Sequence, residues 1–345
     1  MPEKFWNIDM VKGRQALSLL PRRSDGSGQV DWGETEVALI DTGYTEHPVM
    51  GPWQEGKSPI VRVDDGLNLM ERGARAQDSL DYEGTPGHGT RVASVLCGNL
   101  PGSFVGLAPG LSMIPYRAFN HVVISSKHAR KRIAESIRHA VDISAAEVIS
   151  MSFGFPQMSL FAQRHLGEAV DHAYDRGIIM VCAGGQIVDR VTYPGKFSRT
   201  IGVGGVTPKR RVWFRYDKSM AKRSIDIWAP ADDVLRANSM LRDGEVVPDA
   251  NGPGDGTSYA TVHVAAAAAM WLRRREDELD EAYPEPWQRV EAFRNILTET
   301  SQDVAGDYWP ERSRGILDIE ALLKANLPDP GKLKREDRKA ADEIF

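Results

Sequence analysis

The stretch that most restricts what this chain can fold into is Gly254-Asp255-Gly256-Thr257-Ser258-Tyr259-Ala260-Thr261-Val262-His263-Val264, continued by Ala265 to Ala269, Met270, Trp271 and Leu272. A glycine-bearing turn runs straight into an apolar helix with no charge before Arg273. A helix that is apolar all round has to be buried all round, so the rest of the chain must supply layers on every side of it. Crossing a membrane takes about 20 apolar residues, which this run does not reach, and His263 argues against it as well. Ser258 falls where the turn becomes helix. A hydroxyl there either caps the helix by accepting from an N2 or N3 amide, or serves as a nucleophile beside helix-terminal amides that can meet an anion. Taken alone, the stretch reads as a cap; the rest of the sequence turns the choice.

The interval before it alternates short apolar runs with amphipathic ones. Residues 36–43, Ser112–Tyr116, Glu147–Ser152, Ile178–Cys182, Thr200–Val206 and Ile225–Trp228 read as strands. Lys127–Asp142 and Leu160–Arg176 read as helices, followed after the buried helix by Pro286–Glu299 and Ile319–Ala325. This alternation predicts an α/β protein whose mostly parallel sheet is covered on both faces, with ligands at the C-terminal ends of the strands. Asp41 and the Gly184-Gly185-Gln186 turn lie at such ends. Residues 1–30 read as a short extension, 31–325 as one domain, and 326–345 as a charged tail, solvated or loosely docked. A net charge of −5 gives no general attraction to nucleic acid or anionic membrane. The basic runs Lys127–Arg132 and Lys209–Tyr216 accordingly read as a solvated helix face and a surface turn. Cys97 and Cys182 make no disulfide framework, and the N-terminus lacks an apolar signal core, so the expected location is cytoplasmic.

Three residues ask to be read together. Asp41 ends a buried strand, His88 stands between glycines at a helix start, and Ser258 stands at another helix start. Each has a plain alternative: Asp41 could cap the Thr42-Gly43 turn, and His88 could be a satisfied core histidine. Jointly they supply a nucleophile, a base to take its proton, and a carboxylate to hold the base in one tautomer.

The chain resembles the subtilase family of serine peptidases. The resemblance rests on Ala38-Leu39-Ile40-Asp41-Thr42-Gly43 with His47-Pro48, and on Gly87-His88-Gly89-Thr90-Arg91-Val92-Ala93. It continues through Ile149-Ser150-Met151-Ser152-Phe153-Gly154, Val191-Thr192-Tyr193-Pro194-Gly195, Gly256-Thr257-Ser258-Tyr259-Ala260 and Gly315-Ile316-Leu317-Asp318. It implies a three-layer subtilisin-like fold with a sheet of about seven strands. It also implies a serine endopeptidase with Asp41 as orienter, His88 as base and Ser258 as nucleophile. By the same resemblance Ser152, Phe153 and Gly154 would pair with an extended peptide. Those residues and Cys182, Ala183 and Gly184 would wall the pocket for the residue before the scissile bond, narrowed by Phe153 and Cys182.

One departure bears on catalysis. Where the family has an asparagine that donates to the oxyanion, this chain has Gly185, followed by Gln186. Gln186 carries the same amide on a longer arm and is the candidate substitute; its alternative is a solvent-facing side chain and a weak site. Gly185 is also the sole sequence support for a second reading, a pseudo-peptidase that binds or regulates through its cleft. A third reading is a processing or effector peptidase active only with a partner protein. Few residues precede the first strand, so control would come from a short N-terminal plug, the 326–345 tail or a partner; Leu17–Leu20 could be such a plug, but reads rather as packing on the outside of the domain. A peptide or protein is the expected substrate, with no cofactor. Asp64, Asp65, Asp78, Asp81, Asp232 and Asp233 are candidate calcium ligands, but no ordered loop pattern accompanies them and no metal is assigned.

Overall fold

The computed structural model describes residues 4–155, 160–217, 224–306 and 315–343. In chain order its elements are α1 (Trp6–Met10), α2 (Gly13–Ser18), β1 (Glu36–Asp41), β2 (Leu67–Asn68), α3 (His88–Cys97), the short ribbon β3 and β4 (Asn99–Leu100 and Phe104–Val105), and β5 (Ser112–Arg117). There follow α4 (Lys127–Asp142), β6 (Val148–Met151), α5 (Leu160–Asp175), β7 (Ile179–Ala183), β8 (Ile201–Val206) and β9 (Ile227–Pro230). A hairpin of β10 (Val234–Arg242) and β11 (Glu245–Gly254) then leads into α6 (Thr257–Ala282), α7 (Trp287–Glu299) and α8 (Ile319–Lys324).

Seven strands form one sheet in the order β2-β5-β1-β6-β7-β8-β9, and every neighbouring pair is parallel. Strands covered on both faces need apolar residues at consecutive positions, which is why the 36–41 run does not alternate. Successive side chains still point to opposite faces. Val37 and Leu39 join the core around α3 and α6, whereas Ala38 and Ile40 join the core around α4 and α5. The result is the three-layer subtilisin-like arrangement the sequence predicted.

From Tyr259 to Leu272 no residue of α6 exceeds 4% exposure. Its alanines keep the helix slim against β6 to β9. Enlarging one in so tight a layer would cost about 1–3 kcal/mol. The helix runs on through Arg273–Ala282, beyond the apolar stretch. Arg, Glu and Leu are good helix formers, and Arg275 pairs with Glu278 one turn on. Arg273 ties the helix to Asp31.

Three segments are made specific by the structure. The extension holds two helices that pack onto the main core: Trp6, Ile8 and Leu20 are buried, and Leu17 and Leu19 pack beside them. Leu17–Leu20 is therefore no plug of the site. The tail is docked against α5. The Arg199 guanidinium donates to the Glu336 carbonyl, Asp171 accepts from the Ala340 and Ala341 amides, and Glu343 accepts from Ser198. The basic run on α4 is not wholly solvated either, since Arg130 is buried over the Phe155 ring. The β10–β11 hairpin carries no strand signal in its apolar pattern, which Pro248, Gly252 and Pro253 break. Its signal was the Asp243-Gly244 turn, where both residues have positive φ (52° and 82°), the conformation of a two-residue hairpin loop.

Candidate active site

The chain leaves β1 toward β5 on one side of the sheet and returns by α4 to β6 on the other, so strand order reverses at β1. Ligands in open α/β sheets sit outside the strand C-termini at such a point. Asp41, the last residue of β1, is fully buried there. Its Oδ1 accepts from the Thr42 amide at 2.8 Å and lies 2.8 Å from His88 Nδ1. His88 is the first residue of α3, capped by Gly87 with φ +72°. Ser258 is the second residue of α6, and its Oγ lies 3.1 Å from His88 Nε2. With the Nδ1 proton held by Asp41, Nε2 presents a lone pair to the serine hydroxyl. Ser258 Oγ is also 3.1 Å from the Ser152 carbonyl, and Ser152 Oγ donates back to the Ser258 carbonyl at 3.1 Å. The structure thus brings Asp41, His88, Ser258 and Ser152 together.

A second carboxylate, placed among the calcium candidates by the sequence, belongs to this assembly. Asp78 is buried, and its Oδ2 accepts from the Thr42 hydroxyl at 2.7 Å, the Gly87 amide at 2.9 Å and the Tyr82 hydroxyl at 3.0 Å. Thr42 Oγ1 in turn accepts from the Gly89 amide at 3.0 Å. These bonds lock the end of β1 to the start of α3, which carry Asp41 and His88. Two other calcium candidates are engaged elsewhere: Asp64 pairs with Lys57 and Arg75, and Asp65 with Arg62. Among the described residues no three His, Cys, Asp or Glu side chains converge as a metal cage would require.

Ser258 is not the helix cap. The Thr257 amide, the first of α6, donates to Gln186 Oε1 at 2.7 Å, and the Thr257 hydroxyl donates to the same oxygen at 3.1 Å. The cap residue Gly256 has no side chain to do this. Because a backbone amide needs an acceptor, Oε1 has to face Thr257, and the other end of the Gln186 amide is the NH2. That NH2 has no partner among the described residues, and Gln186 lines the same cavity as Ser258. Gly185 has φ +91°, and a Cβ there would lie 2.6 Å from Thr192 Oγ1. Its carbonyl accepts from the Tyr216 hydroxyl at 2.6 Å.

The cavity over Ser258 has a volume of about 420 Å³. Ser152, Phe153, Gly154, Ala183, Gly185 and Gln186 line it, with Ile187 and Val188 exposed at its rim. Cys182 and Gly184 do not line it. Cys182 is fully buried in the α4–α5 layer, where burial pushes its thiol pKa up. The Phe153 ring packs in that same layer and meets Phe119 edge-on at 4.9 Å, so Phe153 borders the cavity whereas Cys182 does not narrow it. Gly154 is not an open edge: its amide donates to the Val122 carbonyl and its carbonyl accepts from the Ile124 amide, both at 3.0 Å. The Phe153 main chain is left without a partner among the described residues.

The model of the subtilase family, Peptidase S8, matches residues 33–316. The major intracellular serine protease of Bacillus subtilis (strain 168) is 28% identical over 274 residues, covering 77% of this chain and 75% of that one. The intracellular serine protease of Paenibacillus polymyxa is 27% identical over 282 residues, covering 76% and 75%. Among solved structures, MycP1 without its N-terminal propeptide superposes with a TM-score of 0.65 at 20% identity, covering 94% of this chain and 98% of that one. A mutant form of the protease domain of PatA superposes with a TM-score of 0.63 at 22% identity, covering 86% and 96%. These likenesses at low identity speak for the fold. The family match spans most of the chain and includes Asp41, His88 and Ser258, and on it this chain belongs to the subtilase family and is a serine-type endopeptidase.

Proposed function

We propose that this endopeptidase cuts extended polypeptide segments through an acyl-enzyme on Ser258, with His88 as general base and then acid, and Asp41 as orienter. The single observation that carries the reading is the unbroken chain Asp41 Oδ1, His88 Nδ1, His88 Nε2, Ser258 Oγ, with links of 2.8 and 3.1 Å. In this reading His88 takes the Ser258 proton as Oγ attacks the peptide carbonyl, and returns it to the departing amine. Water then repeats the cycle to release the acid. The Ser258 amide and the Gln186 NH2 receive the oxyanion, in place of the asparagine that Gly185 replaces. The Thr257 bonds to Oε1 support Gln186 in this role, because they hold its amide still before the charge develops.

The acyl side of the peptide would lie along the Phe153 main chain, with its last side chain toward Ala183, Ile187 and Val188. That lining is apolar and suits an apolar residue before the scissile bond. We infer no cofactor, since proton transfer and oxyanion binding are covered by protein groups. We infer a cytoplasmic location from the two intracellular relatives; among the described residues no helix is long and apolar enough to cross a membrane. The triad links and the open cavity favour an enzyme that needs no partner over a partner-dependent or binding-only protein.

Labelling by a fluorophosphonate probe tests this. Wild type is expected to label on Ser258, and Ser258→Ala and His88→Ala to label at background. The wild type is also expected to digest unfolded casein without any added protein. Absence of labelling in folded wild type would overturn the reading.

A further inference from the structure

The cavity has a second wall that the acyl half of a substrate does not use. It is built by Arg91 on α3, Arg236 and Gly254 on the hairpin, and Tyr259 on α6. Arg91 follows His88 by three residues, so both side chains project from the same face of one helical turn. His88 hands its proton to the departing amine, which places this wall beside the part of the peptide that follows the cut bond. That placement rests on the peptidase reading above.

Both guanidiniums are half-buried, and among the described residues neither has a carboxylate within ion-pair distance. Arg91 spends one nitrogen on the Pro86 carbonyl at 2.8 Å. Arg236 Nε is buried without a partner. It lies 2.5 Å from where a Cβ on Gly254 would stand, and the Tyr259 hydroxyl lies 2.9 Å from the same point. Gly254, having no Cβ, thus lets the guanidinium and the phenol meet, and Arg236 hydrogen-bonds to the Tyr259 hydroxyl while Nε stays without a partner. Among the described residues the one acidic residue on the cavity wall is Asp255, whose Oδ1 accepts from the Asp233 amide at 2.8 Å. Two cations against one anion leave the wall net positive. Partly buried charge without a counter-ion is costly, and a ligand that supplies the counter-ion recovers that cost.

We propose that Arg91 and Arg236 form a carboxylate-binding subsite for the residue immediately after the scissile bond, so that the enzyme prefers bonds followed by Asp or Glu. A carboxylate of that residue would take charge-assisted hydrogen bonds from the free guanidinium nitrogens.

The test uses the full-length protein and a quenched-fluorescent peptide cut at a single bond, verified by mass. Three versions differ only in the residue after that bond: Asp, Asn or Lys. Wild type is expected to show a kcat/KM about tenfold higher for Asp than for Asn, as one net charge-assisted contact provides. In Arg91→Gln/Arg236→Gln the Asp-to-Asn ratio should fall to about one, and in Arg236→Glu the Lys peptide should become the best of the three. A ratio within one protein cancels any general loss of fold or turnover. Fluorophosphonate labelling of the same preparations separates the two hypotheses. If wild type labels at Ser258 but its ratio is one, or if the ratio survives in the double variant, the subsite is overturned and the peptidase reading stands. If wild type neither labels nor cuts, both fall together.

Discussion

Between α1 and α6 the fold dictates the charge of a buried imidazole, and the cost can be worked out. His263 has no exposure; its Nδ1 lies 2.6 Å from the Tyr259 carbonyl and its Nε2 lies 2.9 Å from Asn7 Nδ2. Nδ1 therefore donates and Nε2 accepts, which satisfies the neutral ring on both sides. Burial lowers its pKa from 6.5 to about 4. A histidine with a lowered pKa binds its proton more readily in the unfolded chain, so stability is full above pH 6.5 and drains away as pH falls toward 4. The linkage relation applied to these two values gives a loss of about 2 kcal/mol between pH 7.5 and 5.0, rising to about 3 kcal/mol below pH 4. The assay is urea unfolding at both pH values in a Ser258→Ala background, which suppresses self-digestion, with and without His263→Gln. Glutamine can still donate to Tyr259 and accept from Asn7, but it does not titrate. Burial also shifts His47, Glu36, Glu147, Glu291 and Glu343. These groups are common to both proteins and cancel in the difference. The protein with His263 should lose about 2 kcal/mol more than the glutamine variant across that interval. Equal losses would refute the reasoning.

Gln186→Ala should lower kcat/KM by about 100- to 1,000-fold, the range that loss of one such donor costs a subtilisin. The same change should lower unfolding free energy by about 1 kcal/mol through the lost cap, whereas Gln186→Glu, which keeps the acceptor, should lose turnover and hold its urea midpoint. Gly185→Asn, which places the family's usual residue in line, should reduce labelling instead of raising it, because its Cβ meets Thr192 and its φ is +91°; faster labelling would show that the loop can shift. Ending the chain at Lys332 should cost about 2–4 kcal/mol by urea unfolding, the worth of burying Leu333 and of the Arg199, Asp171 and Ser198 bonds. An unchanged midpoint would mean the tail adds nothing to the fold.

What the sequence made legible follows from how locally each feature is encoded. The strand run ending at Asp41, the helix starting at His88 and the turn before Ser258 each carry their own signal within a few residues. A known order then links them. Asp78 and Arg236 carry no such signal. An aspartate in an acidic loop and an arginine in an irregular strand acquire their neighbours only when residues far apart in the chain meet, as Asp78 meets Thr42 and Gly87. The surroundings of Phe153 and Cys182 are hard to read from sequence for a related reason. Their positions along the chain border the site, but the sheet's alternation turns Cys182 inward, and Phe153 both lines the cavity and packs on the Phe119 ring. The tail's dense charges leave solvated and docked readings both open, and what pins it is mostly main chain, which composition does not reveal.

The oxygen of Gln186 that holds the first turn of α6 has a bearing on how such chains are compared. A glutamine here is needed for the helix to begin cleanly, whatever happens at Ser258. A descendant that had lost its chemistry would still be under pressure to keep it, much as a keystone outlasts the use of a building. Its presence in another sequence therefore cannot sort working members from silent ones. Asp41 and His88, whose contact serves proton transfer in the proposed mechanism, are the positions where decay would first be visible under that proposal.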